Sequence, residues 1–159
     1  MEIERYEIPE DMVTFYVAAD PFPAGIQQSY NRLEEIVLSF NKEENSNYQP
    51  EKSADTAVYR TGLENWEVYG VTETLDGKVV YRACAAERYP GEGSKYELPV
   101  YTIPKGTYLS MNIENWQAKT MEIGSYFHQL FQHPDVKEHS VCLEYYESAD
   151  EMQIMVQHK

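Results

Sequence analysis

Residues 66–87 decide the fold: Trp66-Glu67-Val68-Tyr69-Gly70-Val71-Thr72-Glu73-Thr74-Leu75, then Asp76-Gly77, then Lys78-Val79-Val80-Tyr81-Arg82-Ala83-Cys84-Ala85-Ala86-Glu87. Trp66 to Leu75 reads as a strand, and Lys78 to Glu87 as the strand that returns beside it. Asp76-Gly77 is the two-residue hairpin signal, because a type I′ turn needs positive φ at both central positions. Working outward, Met12 to Ala19 is an apolar, β-branched and aromatic run that predicts a buried strand. Asp20-Pro21-Phe22-Pro23 breaks it. Ile26, Tyr30, Leu33, Val37 and Phe40 recur at spacings of four and three, one face of an amphipathic helix from about Gly25 to Asn41. The polar stretch from Lys42 to about Asp55 predicts an exposed loop.

Past the punctuating segment Tyr89-Pro90-Gly91-Glu92-Gly93-Ser94, the same order returns. Thr107 to Ile113 reads as a strand. Thr120 to Gln132 reads as a helix with Met121, Phe127, Leu130 and Phe131 as its apolar positions. Pro134 pushes His133 out of helical space and ends it. Ser140 to Glu147 and Glu151 to Gln157 are strands joined by a turn at Ser148-Ala149-Asp150. Each half is strand–helix–strand–strand, over about residues 10–89 and 99–158. Neither half buries its sheet face alone, so the two are expected to join as one domain over residues 1–159. Trp66-Glu67-Val68-Tyr69 and Leu143-Glu144-Tyr145-Tyr146 both read apolar–Glu–x–Tyr. Residues two apart on a strand share a face, which pairs Glu67 with Tyr69 and Glu144 with Tyr146.

The chain has 159 residues, with 27 acidic against 13 basic and a formal net charge of −14. That balance argues against direct nucleic-acid binding and against an anionic membrane surface, and it attracts cations. A chain of this length buries enough surface to need no disulfide or metal. Cys84 and Cys142 are far apart; a disulfide between them stays open, and free buried thiols of a reducing compartment are the preferred reading. Met1-Glu2-Ile3-Glu4-Arg5 lacks the pattern of a signal peptide, and no apolar run reaches the ~18 residues of a membrane span. The expected localisation is cytoplasmic.

Three stretches carry a family resemblance: Tyr101-Thr102-Ile103-Pro104-Lys105-Gly106-Thr107-Tyr108, Leu143-Glu144-Tyr145-Tyr146, and Val68-Tyr69-Gly70 with Val80-Tyr81-Arg82-Ala83. In their order along the chain they resemble the gyrase-inhibitor-like (GyrI-like) small-molecule-binding family. The same module serves as effector-binding domain of bacterial AraC-type and MerR-type multidrug-responsive regulators. The resemblance implies an α+β fold of two pseudo-symmetric β-α-β-β (SHS2) modules. These form a largely antiparallel sheet with two main helices and a ligand cleft between the modules. It implies a glutamate at the floor of an aromatic cleft, which maps onto Glu144, with Tyr146 as its companion. Two departures bear on the pocket: Ala83-Cys84 stands where the family often has a glycine, and Asn115-Trp116 replaces the usual lead into the second helix. No helix-turn-helix accompanies the domain, so the resemblance implies a stand-alone member related to transcription regulation.

The ligand-binding candidates are then Glu144, Tyr146, Glu67, Tyr69, Tyr81, Tyr108 and Trp116. A desolvated carboxylate is costly, and a cationic ligand offsets that cost by pairing with it. Aromatic faces add cation–π attraction of ~0.5–2 kcal/mol each. Spacing alone reads Glu144 as an exposed strand residue; the resemblance moves it into a pocket. Glu67 and Tyr69 are expected on the other wall, or else as solvated and core residues. Trp116 is read as a lid or as a core plug, evenly. Of the fourteen tyrosines, Tyr6, Tyr16, Tyr30, Tyr48, Tyr59, Tyr89, Tyr96, Tyr101, Tyr126 and Tyr145 are assigned to packing.

His128, His133, His139 and His158 show no metal spacing, and neither H-E-x-x-H nor C-x-x-C occurs. Gly91-Glu92-Gly93 is not a phosphate loop, and there is no G-x-S-x-G. Glu34-Glu35 and Glu43-Glu44 read as solvated faces. No metal and no cofactor is expected. The expected function is binding of a small, cationic or amphipathic aromatic molecule rather than catalysis. Two alternatives stand beside it. One is hydrolysis of reactive electrophiles, with Glu144 as general base and Tyr146 as donor. The other is a protein-interaction module, such as a gyrase modulator.

Overall fold

A computed structural model describes residues 2–41 and 61–159; the loop expected over 42–55 lies outside the described residues. The hairpin forms where its sequence places it. Strand β3 (Val68–Leu75) pairs antiparallel with β4 (Lys78–Ala86), and Asp76 and Gly77 take φ of 50° and 79°. Both central positions are left-handed, as a type I′ turn requires.

Around this hairpin lie β2 (Met12–Ala18), helix α1 (Ile26–Phe40), β6 (Gly106–Glu114), helix α3 (Ile123–Phe131), β7 (Cys142–Tyr146) and β8 (Glu151–Gln157). Four elements are not anticipated: edge strands β1 (Glu4–Ile8) and β5 (Val100–Ile103), the one-turn helix α2 (Glu92–Lys95) and a 3₁₀ turn, Thr61–Leu63. The sheet order is β1-β6-β8-β7-β3-β4-β2-β5, antiparallel throughout. Within it, β2-β4-β3 and β6-β8-β7 have the same internal order and meet through β3 and β7. The fold is therefore α+β, built from two β-α-β-β units.

Helix α1 has no side-chain cap and is held by its buried face: Tyr30, Leu33, Val37 and Leu38. Burying each such side chain contributes about 1.5–3 kcal/mol. Phe40, expected on that face, is 50% exposed, and Leu38 takes its place. The second helical segment begins earlier than its periodicity suggests. A 3₁₀ stretch, Trp116–Glu122, follows a left-handed Asn115 (φ 53°) and leads into α3. Within α3 only Leu130 is buried, and Ile123, Tyr126 and Phe127 pack at the margin of the core.

The helices define two sheet faces. Phe15, Ala83, Ala85, Val68, Met111, Ile113, Tyr146, Met152 and Ile154 point toward them and form the main core. The curled opposite face gathers Ile8, Tyr69, Val71, Cys84, Ile103, Tyr108, Leu143 and Met155. Helix α1 packs chiefly on β2 and β4, and α3 on β8 and β6. The middle of the helix-bearing face, along β3 and β7, lies between them. No helix of the described residues is long and apolar enough to cross a membrane.

Candidate functional site

Glu144 sits at the centre of β7, opposite Gly70 on β3 and Ile154 on β8. It therefore points to the helix-bearing face, in the gap between α1 and α3. Tyr81, one strand further on β4, reaches across Gly70 and donates a hydrogen bond to Glu144 Oε1 at 2.7 Å. Gly70 makes that reach possible. A Cβ there would lie inside contact distance of the Tyr81 hydroxyl and 2.5 Å from Glu144 Oε1. Tyr146, two residues along β7, donates to the same oxygen at 3.1 Å.

Tyr30 descends from α1. Its hydroxyl lies 2.9 Å from the Tyr81 hydroxyl and 3.1 Å from the Tyr69 carbonyl, to which it donates. Its ring meets those of Tyr81 and Tyr146 edge-on, with centroids 6.2 and 5.8 Å apart. The indole of Trp116 meets Tyr146 at 5.1 Å, and Phe22, 40% exposed, stacks on Tyr81 at 6.1 Å. The carboxylate thus stands in an aromatic cage built from both units.

The electrostatics follow from the partners. Both hydroxyls converge on Oε1, while Oε2 receives no hydrogen bond from the described residues and is not sealed from solvent. Burial raises the Glu144 carboxyl above the ordinary carboxylate range, and the hydrogen bonds from Tyr81 and Tyr146 offset only part of that. No lysine, arginine or histidine among the described residues contributes to its environment. Burial, and after it the charge of Glu144, push the Tyr30, Tyr81 and Tyr146 hydroxyls far up, so they remain donors. The same two causes raise the neighbouring Cys142 thiol to about 11.

Glu92 is the instructive contrast. It is fully buried, with hydrogen bonds from Trp66 Nε1 (2.9 Å), the Tyr96 hydroxyl (2.7 Å) and the Arg88 backbone (2.7 Å), and an ion pair with the Arg88 guanidinium (3.0 Å). Burial raises its carboxyl, but these bonds outweigh that and hold it below the usual value. Glu92 is electrically complete within the protein; Glu144 is not.

The structure thus brings together Glu144, Tyr146, Tyr81 and Trp116. It adds Tyr30, which the sequence reading had assigned to packing, together with Phe22 and Gly70. Trp116 is 2% exposed, and its indole N–H bonds the Ser148 carbonyl at 3.0 Å, so it backs Tyr146 from below and is no lid. Tyr69, Tyr108 and Glu67 are elsewhere. Tyr69 points to the opposite face and stacks on Tyr145 at 4.7 Å. Tyr108, also there, donates to the Pro104 carbonyl at 2.6 Å. Glu67 is exposed ahead of β3. The apolar–Glu–x–Tyr match between the halves is out of phase, because pairing sets Tyr69 opposite Tyr145, not Tyr146. One residue of slip exchanges the faces of a strand. Glu34, read as solvated, is 1% exposed. Cys84 and Cys142 are free thiols, and among the described residues no group of three or more metal-ligating side chains converges.

Solved structures share this fold. One is a protein solved with tetraphenylphosphonium bound (15% identity, TM-score 0.56, 100% of this chain and 94% of that one). A second, from Staphylococcus aureus MU50, is provisionally assigned to bacterial transcription regulation (16%, TM-score 0.54, 99% of both chains). A third is described as a hydrolase from Listeria innocua (9%, TM-score 0.57, 99% of this chain and 92% of that one). At these identities the likeness establishes the fold. No family model matches the chain, nor does any curated sequence. Fold and site together define an α+β protein whose central carboxylate stands among aromatic side chains.

Proposed function

We propose that this protein binds a small, cationic, aromatic or amphipathic molecule between α1 and α3, with Glu144 as counter-charge. On this reading it is an effector-binding protein of the GyrI-like type, related to transcription regulators. One observation carries the proposal: a half-buried carboxylate, not sealed at Oε2, whose protein partners are hydroxyls and not cations. A buried charge without a counter-ion costs several kcal/mol, and an incoming cation supplies the missing one. Tyr30, Tyr81 and Tyr146 hold the carboxylate in place, Trp116 backs Tyr146, and the exposed ring of Phe22 supplies aromatic surface for the ligand body. The tetraphenylphosphonium-bound neighbour and the charge of −14 support the same polarity.

The test is a calorimetric titration with tetraphenylphosphonium. Glu144→Gln keeps the shape and removes the charge, and is expected to weaken binding at least tenfold while the circular dichroism spectrum is unchanged. Equal affinities for the two proteins would remove Glu144 from the site. Hydrolysis of an electrophile is the second reading. A carboxyl raised by burial beside a tyrosine hydroxyl at 3.1 Å favours it, as does the hydrolase of the same fold. Turnover of an electrophile panel, lost in Glu144→Gln, would establish it; stoichiometric binding without product would reject it.

A further inference from the structure

We propose that the site is a proton–cation exchanger: Glu144 holds a proton when the cage is empty and gives it up when a cation enters. The inference rests on the binding reading above and adds how that binding is regulated. It stands on the composition of the cage. The groups facing Glu144 are Tyr81 from β4, Tyr146 and Cys142 from β7 and Tyr30 from α1, with Gly70 opposite on β3 and Ile154 on β8. None of these carries positive charge. The three hydroxyls and the thiol keep their protons up to strongly alkaline pH. Glu144 is thus the group of this set whose carboxyl burial raises and an entering cation can lower.

The donors are arranged to tolerate both states. Tyr81 and Tyr146 donate to Oε1 whether or not the carboxyl is ionised, so a proton on Oε2 displaces no protein hydrogen bond. Oε2 is also the oxygen not sealed from solvent. Proton and cation therefore compete for one oxygen. Burial disfavours the bare anion, so the empty site holds the proton to higher pH than an ordinary glutamate. A cation against Oε2 restores the missing counter-charge and lowers the carboxyl again. Between those two titration points, binding one cation releases up to one proton to solvent. By linkage, affinity in that window falls as pH falls, by up to about tenfold per pH unit.

The probe is tetraphenylphosphonium, whose charge is permanent, so that every proton released comes from the protein. Calorimetric titrations of the full chain are run at several values between about pH 5 and 8, each in two buffers of different ionisation enthalpy. The expected result is an enthalpy that depends on the buffer and reports a fractional proton released. The affinity should fall with decreasing pH by a slope equal to that fraction. Tyr146→Phe, which leaves the carboxylate and its Tyr81 donor in place, should still show release. Glu144→Gln should bind weakly, release none, and show no pH slope. Binding whose enthalpy is independent of buffer at every pH overturns the exchange and leaves the binding site standing. No binding by the wild-type protein at any pH overturns the binding reading itself.

Discussion

At the scale of single residues, a buried glutamate and a half-buried one show how partners decide a role. Glu92 receives three hydrogen bonds and an arginine, and its charge is settled inside the protein. Removing one partner from such a set typically costs ~3–5 kcal/mol, which marks it as structural. Glu144 receives two hydroxyl donors on one oxygen and keeps the other open. Gly70 is the residue that makes this geometry possible, although it contributes no side chain. In Gly70→Ala the new methyl group would collide with the Tyr81 hydroxyl and crowd Glu144 Oε1. The ring of Tyr81 must then withdraw, and its bond to Glu144 is lost. The expected outcome is a folded protein with moderately lower stability, by about 1–3 kcal/mol for overpacking. Its affinity for tetraphenylphosphonium should fall at least tenfold. Chemical denaturation and titration of the same sample measure both.

At the scale of elements, the two units match in strand order and differ in how their helices are seated. Six residues of α1 are buried, and one of α3. Helix α1 brings Tyr30 into the cage, whereas α3 leaves Ile123, Tyr126 and Phe127 half-open at its margin. Local opening is governed by how many buried apolar contacts an element must break. Backbone amides of α3 are therefore expected to exchange with deuterium faster than those of α1, with the Trp116–Glu122 turn closer to α3. A bound cation should slow the exchange of α3 more than that of α1, since α1 is already packed. Equal protection of both helices in the free protein would count against this asymmetry.

At the scale of the whole molecule, the net charge of −14 and the half-buried Glu144 act on stability in the same direction. The folded value of Glu144 lies above its unfolded one of about 4.5. Below the unfolded value both states hold the proton, and the burial of a neutral carboxyl costs nothing extra. As pH rises through the folded value, the folded state must lose that proton into a buried site, and stability falls. Self-repulsion among the surface carboxylates also weakens as pH drops toward the isoelectric point near 4.6. Glu92 does not oppose this trend above pH 5, because its lowered carboxyl loses its contribution only under more acid conditions. Thermal midpoints are therefore expected to rise from pH 8 to about pH 5. Glu144→Gln should be more stable than wild type at pH 8 and converge with it near pH 5, by ~2–4 °C for each kcal/mol involved. A Glu144→Gln variant less stable than wild type at pH 8 would contradict the raised carboxyl.

Much of this is legible in the sequence. Local signals placed the hairpin through Asp76-Gly77, the face of α1 through its three-four spacing, and the strand–helix–strand–strand order of both halves. Glu144 and Tyr146 became candidates through the family resemblance, not through spacing, which reads Glu144 as solvated; Tyr81 was a candidate that stood open between cleft wall and core. The edge strands β1 and β5 were missed because an edge strand has one neighbour and a short, weakly patterned sequence. Tyr30, Phe22 and Gly70 were missed as site residues for one shared reason: each joins Glu144 from a different element, across 60 or more positions of chain. The expected pairing of Glu67 and Tyr69 with the pocket failed on strand register, which sequence repeats do not specify to one residue. Local periodicity determined by itself which segments are helix and strand, because burial repeats at fixed intervals along one element. Only the tertiary structure decided which carboxylate is left without a counter-ion, because charge compensation is settled between elements and never within one.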